Sequence, residues 1–248
     1  MHLYPLRYLP TGHIFINPSD NCDRVVDVML ATDYNEEFCL ARDFDEDFII
    51  RLMEAGFLVM STELKNLIGG ENTESNENNE DTPFYILLPK LHLIRSVLFF
   101  PELRIKKSIR RFLPLYELRI NTDFDLILDK CVQIHGDAWL TPPLAGILKD
   151  LRKRNDIRIK PISFAVYREG ELKAGEIGVV MGRVYTSYSG YYEEDNAGTV
   201  QMILMTRWLQ ETGFDFLDLG MPMDYKTAFG AQDITPRHFV ELFRAARY

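Results

Sequence analysis

No apolar run in this sequence approaches the ~20 residues that a membrane-spanning helix requires, so the pattern gives no reason to place the chain in a bilayer. Cysteine is scarce. Cys22, Cys39 and Cys131 are far apart, odd in number and form no CxxC pair, which argues against a disulfide framework and against a zinc site. His92 and His135 stand alone without metal-ligand spacing, so both are read as structural and no metal is expected. The opening stretch, MHLYPLRYLPTGH, has prolines and a histidine where a secretory leader needs an apolar segment. No internal repeat is visible. These absences lead us to expect a reducing, cytoplasmic setting.

What is present is an ordinary globular composition, 46% hydrophobic and 26% charged over 248 residues, enough for one large domain or a small one plus a larger one. The net charge of -9 is unevenly spread. From Lys90 to Lys160 there are 15 Lys/Arg and 8 Asp/Glu, a local excess of +7. Such asymmetry suits a basic surface for a polyanion, or else helices whose charges face water.

Residues 69–83, GGENTESNENNEDTP, hold no aliphatic or aromatic side chain and are expected to be a mobile acidic loop. That loop divides the chain into a small N-terminal α/β domain, 1–82, and a larger domain, 84–248. In the first, Phe44, Phe48, Ile49, Leu52 and Met53 recur at helical spacing, with Asp45 a natural N-cap and Gly56 a stop. In the second, 84–88 and 97–100 read as strands and 124–134 as an amphipathic helix. Thr141 before Pro142 and Pro143 starts another helix, running to about 154. Three strand-like runs follow at 162–167, 172–181 and 183–189, with turns at Glu169-Gly170 and Met181-Gly182. A helix at 197–211, a buried strand at 214–219 and a last helix at 236–246 complete the order. A meander followed by helix, strand and helix is the core order of GNAT-type (acyl-CoA N-acyltransferase-type) domains, so the fold class expected is α+β.

Several segments, in register, resemble the leucyl/phenylalanyl-tRNA–protein transferases over roughly 84–248. RIKKSIRRF resembles that family's basic segment. DAWLTPPL, with Trp139 and Thr141, resembles its G-T-W-I-T. AGEIGVVMGRVY resembles its G-G-x-x-G-V-x-x-G-x-x-F hairpin, NAGTVQMIL its N-A-S-K helix start, and DLGMPMDYKTAFGAQDITPRHFVELF its D-x-Q-x-x-x-x-H-x-x-S-L-G-A-x-x-I-x-R-x-x-F ending. The resemblance implies a GNAT-like C-terminal domain that holds the 3′ end of an aminoacyl-tRNA and uses no cofactor. It implies transfer of an amino acid to the N-terminus of an acceptor protein, marking it for degradation, by a monomer with no membrane partner. YYEEDNAG stands where a coenzyme A enzyme needs a Gly-rich loop, and Glu193–Asp195 would repel a pyrophosphate.

The departures are specific. W-W-S-P-D-P-R is here PKLHLIR, keeping Arg95; the family's active-site glutamate falls on Tyr188; D-x-Q becomes Asp218-Leu219-Gly220; and the late histidine falls on Tyr225. They leave two alternatives open: a catalytically inactive relative that binds tRNA or protein N-termini, and an acyltransferase with another donor.

Asp218 ends the apolar strand FDFLDLG, where it either binds the acceptor ammonium and guides its proton away or caps the following turn. Tyr188 is expected to donate to a developing oxyanion, and Tyr225 and Asn196 to touch the acceptor or the ribose. By resemblance the aminoacyl pocket is lined by Trp139, Glu176, Tyr185, Gly190, Met202, Met205 and Leu217. A buried carboxylate at Glu176 would favour a basic donor side chain; a strand offset would instead turn it to solvent. Arg95, Arg104, Lys106, Lys107, Arg110 and Arg111 are the expected tRNA phosphate contacts, with Lys149, Arg152, Lys153 and Arg154 a second basic group.

Overall fold

The structure, a computed structural model, describes residues 4–68, 83–136 and 138–248. The acidic segment 69–83 lies outside them except for Pro83. The first stretch holds β1 (Arg7–Tyr8), β2 (Ile14–Phe15), α1 (Cys22–Ala31), α2 (Glu46–Glu54), β3 (Leu58–Glu63) and α3 (Leu64–Ile68). Next come β4 (Tyr85–Lys90), β5 (Arg95–Leu98), α4 (Lys107–Arg110), β6 (Glu117–Ile120), α5 (Phe124–His135) and α6 (Pro142–Leu151). The meander is β7 (Ile159–Arg168), β8 (Glu171–Met181) and β9 (Val184–Tyr192). The chain closes with α7 (Ala197–Glu211), β10 (Phe216–Asp218), α8 (Asp224–Phe229), β11 (Gln232–Ile234) and α9 (Pro236–Ala246).

Local chemistry accounts for the best-defined elements. The Asp45 carboxylate accepts the Phe48 N–H at 2.8 Å, Glu46 and Asp47 sit in the first turn of α2, and Gly56 leaves the helix end at φ +100°. Thr235 caps α9 through the His238 N–H, with Pro236 in the first turn. Glu169 and Gly170 both have positive φ, the signature of a tight turn whose twist suits a hairpin, and they join β7 to β8. Thr141 precedes α6 as expected, but its hydroxyl bonds Ser61 Oγ on β3 at 2.6 Å instead of capping the helix.

Seven strands form one mixed sheet in the order β11-β5-β10-β9-β8-β7-β6. Its one parallel pair is β9 with β10, from Val184↔Phe216 to Thr186↔Asp218. β3 and β4 pair separately along six residues. Successive residues of a strand face opposite sides. A side chain at Gly175 would strike Ile127 of α5, while neighbouring Glu176 bonds Gln201 of α7, so α5 and α7 cover opposite faces. The larger core joins α1, α2, α5, α6 and α9 on the α5 side. Two smaller cores lie under α7.

The β8–β9 ladder shifts register between Ile177 and Gly178, which pair with Ser189 and Ser187 and leave Tyr188 as an extra residue. This bulge reverses the facing of everything beyond it. Tyr185 packs in the core under α7, whereas Tyr191, six residues on, packs in the α5-side core. Opposite the bulge, Gly178 has no room for a Cβ, which would lie 2.3 Å from the Thr186 carbonyl and 2.5 Å from the Tyr185 ring. Gly178→Ala is therefore expected to lower stability by about 1–3 kcal/mol, read as a lower urea midpoint at unchanged slope.

Candidate active site

β9 and β10 pair over only three residues, and β9 then continues from Ser187 to Tyr192 with no strand on that edge. Where the strands part, a cleft of about 940 Å³ opens. Its walls come from this free stretch of β9, the N-terminal turn of α7, the segment 219–229, Lys90 at the end of β4 and His92 just beyond it, Leu58 and Met60 of β3, and Trp139. Residues far apart in sequence are thus collected at one split in the sheet.

Beneath the split lies a buried ion pair. Arg95 Nε and Nη2 donate to Asp218 Oδ1 and Oδ2 at 2.7 and 2.6 Å. Thr186 Oγ1 donates to Oδ2 at 2.9 Å, and the Gly220 N–H donates to Oδ1 at 3.0 Å. The guanidinium also stacks over the Phe239 ring at 4.2 Å. Asp218 is 0% exposed, with both oxygens doubly bonded, and it does not line the cleft. This corrects two expectations. Asp218 holds the turn and the strands in place instead of meeting an acceptor amine. Arg95, 1% exposed, is committed to Asp218 and out of reach of a tRNA phosphate.

Of the other residues singled out, Trp139, Glu176, Tyr188, Gly190, Asn196, Met202 and Tyr225 line the cleft. Tyr185, Met205 and Leu217 do not; all three are fully buried in the core under α7, behind the cleft wall. Tyr188 turns its hydroxyl to β3, where the Val59 N–H donates to it at 3.2 Å. Burial holds that phenol well above its ordinary range. Asn196 precedes α7 at φ +70° with no capping bond. Arg104, Lys106, Lys107, Arg110 and Arg111 lie exposed on and beside α4 and make no ion pair among the described residues. The second basic group is neutralised: Lys149 bonds Asp129, Arg152 meets Asp125, Lys153 bonds Asp150, and Arg154 bonds Glu46, Asp47 and Asp156.

The cleft also holds Lys226, which sequence reasoning missed, and His92, which it read as structural. Lys226 Nζ donates to the carbonyls of Leu219 and Met221 at 2.6 and 2.8 Å. Burial pulls its pKa down, while the carboxylates of Asp218 and Glu176 pull it back up. His92 is 2% exposed and neither ring nitrogen has a hydrogen-bond partner among the described residues. Burial above all, then Arg95, Lys90 and Lys226, push its pKa down to about 2, so the ring is neutral. Nothing local marks either residue: Lys226 follows the flagged Tyr225, and His92 is one histidine in an apolar run. Among the described residues no group of three or more His, Cys, Asp or Glu is placed to hold a metal, and no helix is long and apolar enough to cross a membrane.

A mixed sheet that opens at its one parallel pair, with helices on both faces and a cleft at the opening, defines a GNAT-like α+β fold. A family model described as Leucyl/phenylalanyl-tRNA protein transferase matches residues 97–244, and the chain belongs to that family. It is 31% identical over 152 residues to the leucyl/phenylalanyl-tRNA–protein transferase of Pseudomonas putida (strain W619), covering 59% of this chain and 66% of that protein. To the protein of the same name from Pseudomonas entomophila (strain L48) it is 30% identical over 152 residues, with the same coverage. The matched stretch thus spans just under two thirds of both relatives. Among solved structures, FemX superposes with a TM-score of 0.44 at 10% identity, covering 96% of this chain and 85% of FemX. L-PGS from Bacillus licheniformis gives 0.42 at 11%, covering 97% and 88%.

Two predictions follow from the groups at the split. Removing one partner of a buried pair strands the other charge, so Asp218→Ala is expected to cost about 3–5 kcal/mol in urea unfolding, far more than an exposed Asp150→Ala. For His92, between its ordinary pKa of about 6.5 and the folded value of about 2, the unfolded chain binds a proton that the folded chain excludes. Its contribution is complete above pH ~6.5 and is lost as the pH falls below that. His92→Leu is expected to flatten the acid limb of a stability-against-pH curve measured from pH 7 to pH 4.

Proposed function

We propose that this chain transfers an aminoacyl group from a charged tRNA to the α-amine at the N-terminus of an acceptor protein. Family membership supports the reaction class. The observation that carries the reading is the cleft itself: it opens at the sheet split, and its α7 end carries acidic residues where a pyrophosphate would need glycines and positive charge. Glu193 is bonded to Lys130, Glu194 accepts from Tyr116 and pairs with Arg168, and Asp195 lines the cleft without an ion pair among the described residues. That end is inhospitable to coenzyme A and disfavours the alternative acyl-CoA donor.

The reaction is attack of a neutral amine on an ester carbonyl, with loss of the ribose hydroxyl. An α-amine with a pKa of about 7.7–8.0 is partly neutral near pH 7, so a strong base is not required. Positioning supplies most of what is needed. The free edge of β9 from Ser187 to Tyr192 offers backbone groups to an extended acceptor N-terminus. Lys226 gives two of its three protons to Leu219 and Met221 and keeps one, a charged donor for the oxyanion of the tetrahedral intermediate. Tyr225, half-exposed at the rim, is placed to meet the ribose or the acceptor. On this reading Asp218 and Arg95 position Leu219, Gly220 and Lys226 without touching substrate. Loss of the family's glutamate and glutamine is the point in favour of an inactive relative; Lys226, a charged donor inside the cleft, weighs against it.

The unpaired basic residues around α4 form the surface we assign to the tRNA backbone. Each phosphate contact to a duplex contributes roughly 0.9 to the slope of log affinity against log salt. Lys106→Ala and Arg110→Ala together are expected to weaken tRNA binding and reduce that slope by about 1–2, measured by fluorescence anisotropy from 50 to 200 mM salt. Lys149→Ala and Lys153→Ala, whose charges are already paired, are expected to leave the slope unchanged. In a mixture of total aminoacyl-tRNA and an acceptor peptide, the wild-type protein should lengthen the peptide by one residue in the mass spectrum. No lengthening with any charged tRNA would overturn the assignment.

A further inference from the structure

Glu176 is the least settled group in the cleft. It lies on β8, 5% exposed, on the face covered by α7. Its Oε2 accepts from Gln201 Nε2 at 3.1 Å, but Oε1 has no hydrogen-bond partner among the described residues. Among the described residues no Lys, Arg or His lies within ion-pairing distance of either oxygen; of the two lysines that line the cleft, Lys226 is bonded to backbone carbonyls and Lys90 is paired with Glu37. Burial raises the carboxyl's pKa, and the nearby Ser187 hydroxyl, Gln201 amide and Tyr185 hydroxyl and the more distant Lys226 charge only partly oppose this. A carboxylate left this way is costly, and a cation brought to it removes the cost.

The cleft is open beside it. The cross-strand neighbour of Glu176 is Gly190, where a Cβ would sit 3.5 Å from the Glu176 Cβ and 3.2 Å from the Gly175 carbonyl. The missing side chain leaves a channel along the glutamate stem. Met202 and Trp139 line the same cleft and give the methylene stem of a long side chain an apolar wall. Asp195 adds to the lining a second carboxylate with no ion pair among the described residues. Resting on the aminoacyl transfer proposed above, we infer that Glu176 selects a donor with a cationic side chain, arginine or lysine, by pairing its free oxygen with that cation.

The test is single-amino-acid transfer. Purified tRNAs charged with arginine, lysine, leucine or phenylalanine are each presented with one acceptor peptide, and kcat/KM is read by mass spectrometry. Arginyl or lysyl transfer should exceed leucyl transfer by at least roughly tenfold. Glu176→Met should reverse the order, and the isosteric Glu176→Gln should abolish the cationic preference at unchanged thermal midpoint. A readout independent of turnover is calorimetric binding of 3′-arginylamino-3′-deoxyadenosine against its leucyl counterpart. The arginyl analogue should bind wild type more tightly, and the difference should vanish in Glu176→Gln. Efficient leucyl or phenylalanyl transfer with no arginyl or lysyl transfer overturns the inference and leaves the transferase reading intact. A cationic preference that survives Glu176→Gln overturns the role of this residue. Failure of all four charged tRNAs overturns this inference, and failure with total aminoacyl-tRNA as well overturns the transferase reading with it.

Discussion

Asp218 and Arg95 are 123 residues apart, and each is charged and fully enclosed. Neither charge is tolerable alone in that position, so the chain must bring them together before the sheet can close. Their pairing fixes β5 against β10, and Thr186 extends the same network to β9. The network ends where β9 and β10 stop pairing, and the stacked Phe239 ties α9 to the same point. Such a pair contributes less to net stability than to uniqueness, since an apolar substitute could pack as well but would not dictate which strands align. The position of the cleft follows, because Gly220 is bonded directly to the Asp218 carboxylate and the segment carrying Lys226 begins there.

Charge is sorted by the fold into spent and unspent. Along α6 and the turn after it the basic residues meet carboxylates from the same helix, from α5 and from the start of α2. Around α4 five basic side chains are exposed with no such partners among the described residues. The acidic excess of the chain as a whole therefore says little about what binds near α4. At close range, a local field from uncompensated cations outweighs the screened contribution of distant carboxylates.

Elements with a strong apolar period were legible. The expected ends of the helices at 197–211 and 236–246 coincide with α7 and α9, and the caps of α2 are those expected. Elements made by tertiary pairing were not. β11 and β6 are three and four residues long and mostly exposed or half-exposed, so no alternation announces them. The site did not divide along the same line. Gly190, Met202 and Glu176 line the cleft, while Tyr185 and Met205, carried by the same β9 and α7, are enclosed behind it, so a well-defined element did not by itself tell which of its residues reach the opening. Asp218 was assigned to the cleft because a carboxylate at the end of an apolar strand needs a reason. The reason is a partner 123 residues earlier, which spacing cannot reveal. Strand alternation gave no sure facing for β9, because a bulge lies within it.

That bulge gives strand register a chemical meaning. The half of β9 beyond Tyr188 owes its facing to one additional residue. Were the same residues paired regularly, with none bulged out, composition and length would be unchanged, yet Gly190 would fall opposite Gly175 and turn toward α5, and Tyr191 would swing into the cleft. The floor would change from an open channel beside an acid to an aromatic lid over it. Holding one residue out of the ladder thus decides more about the cleft floor than most substitutions on the strand's surface, and a chain lacking that residue would keep Gly190 opposite Glu176 with no bulge at all.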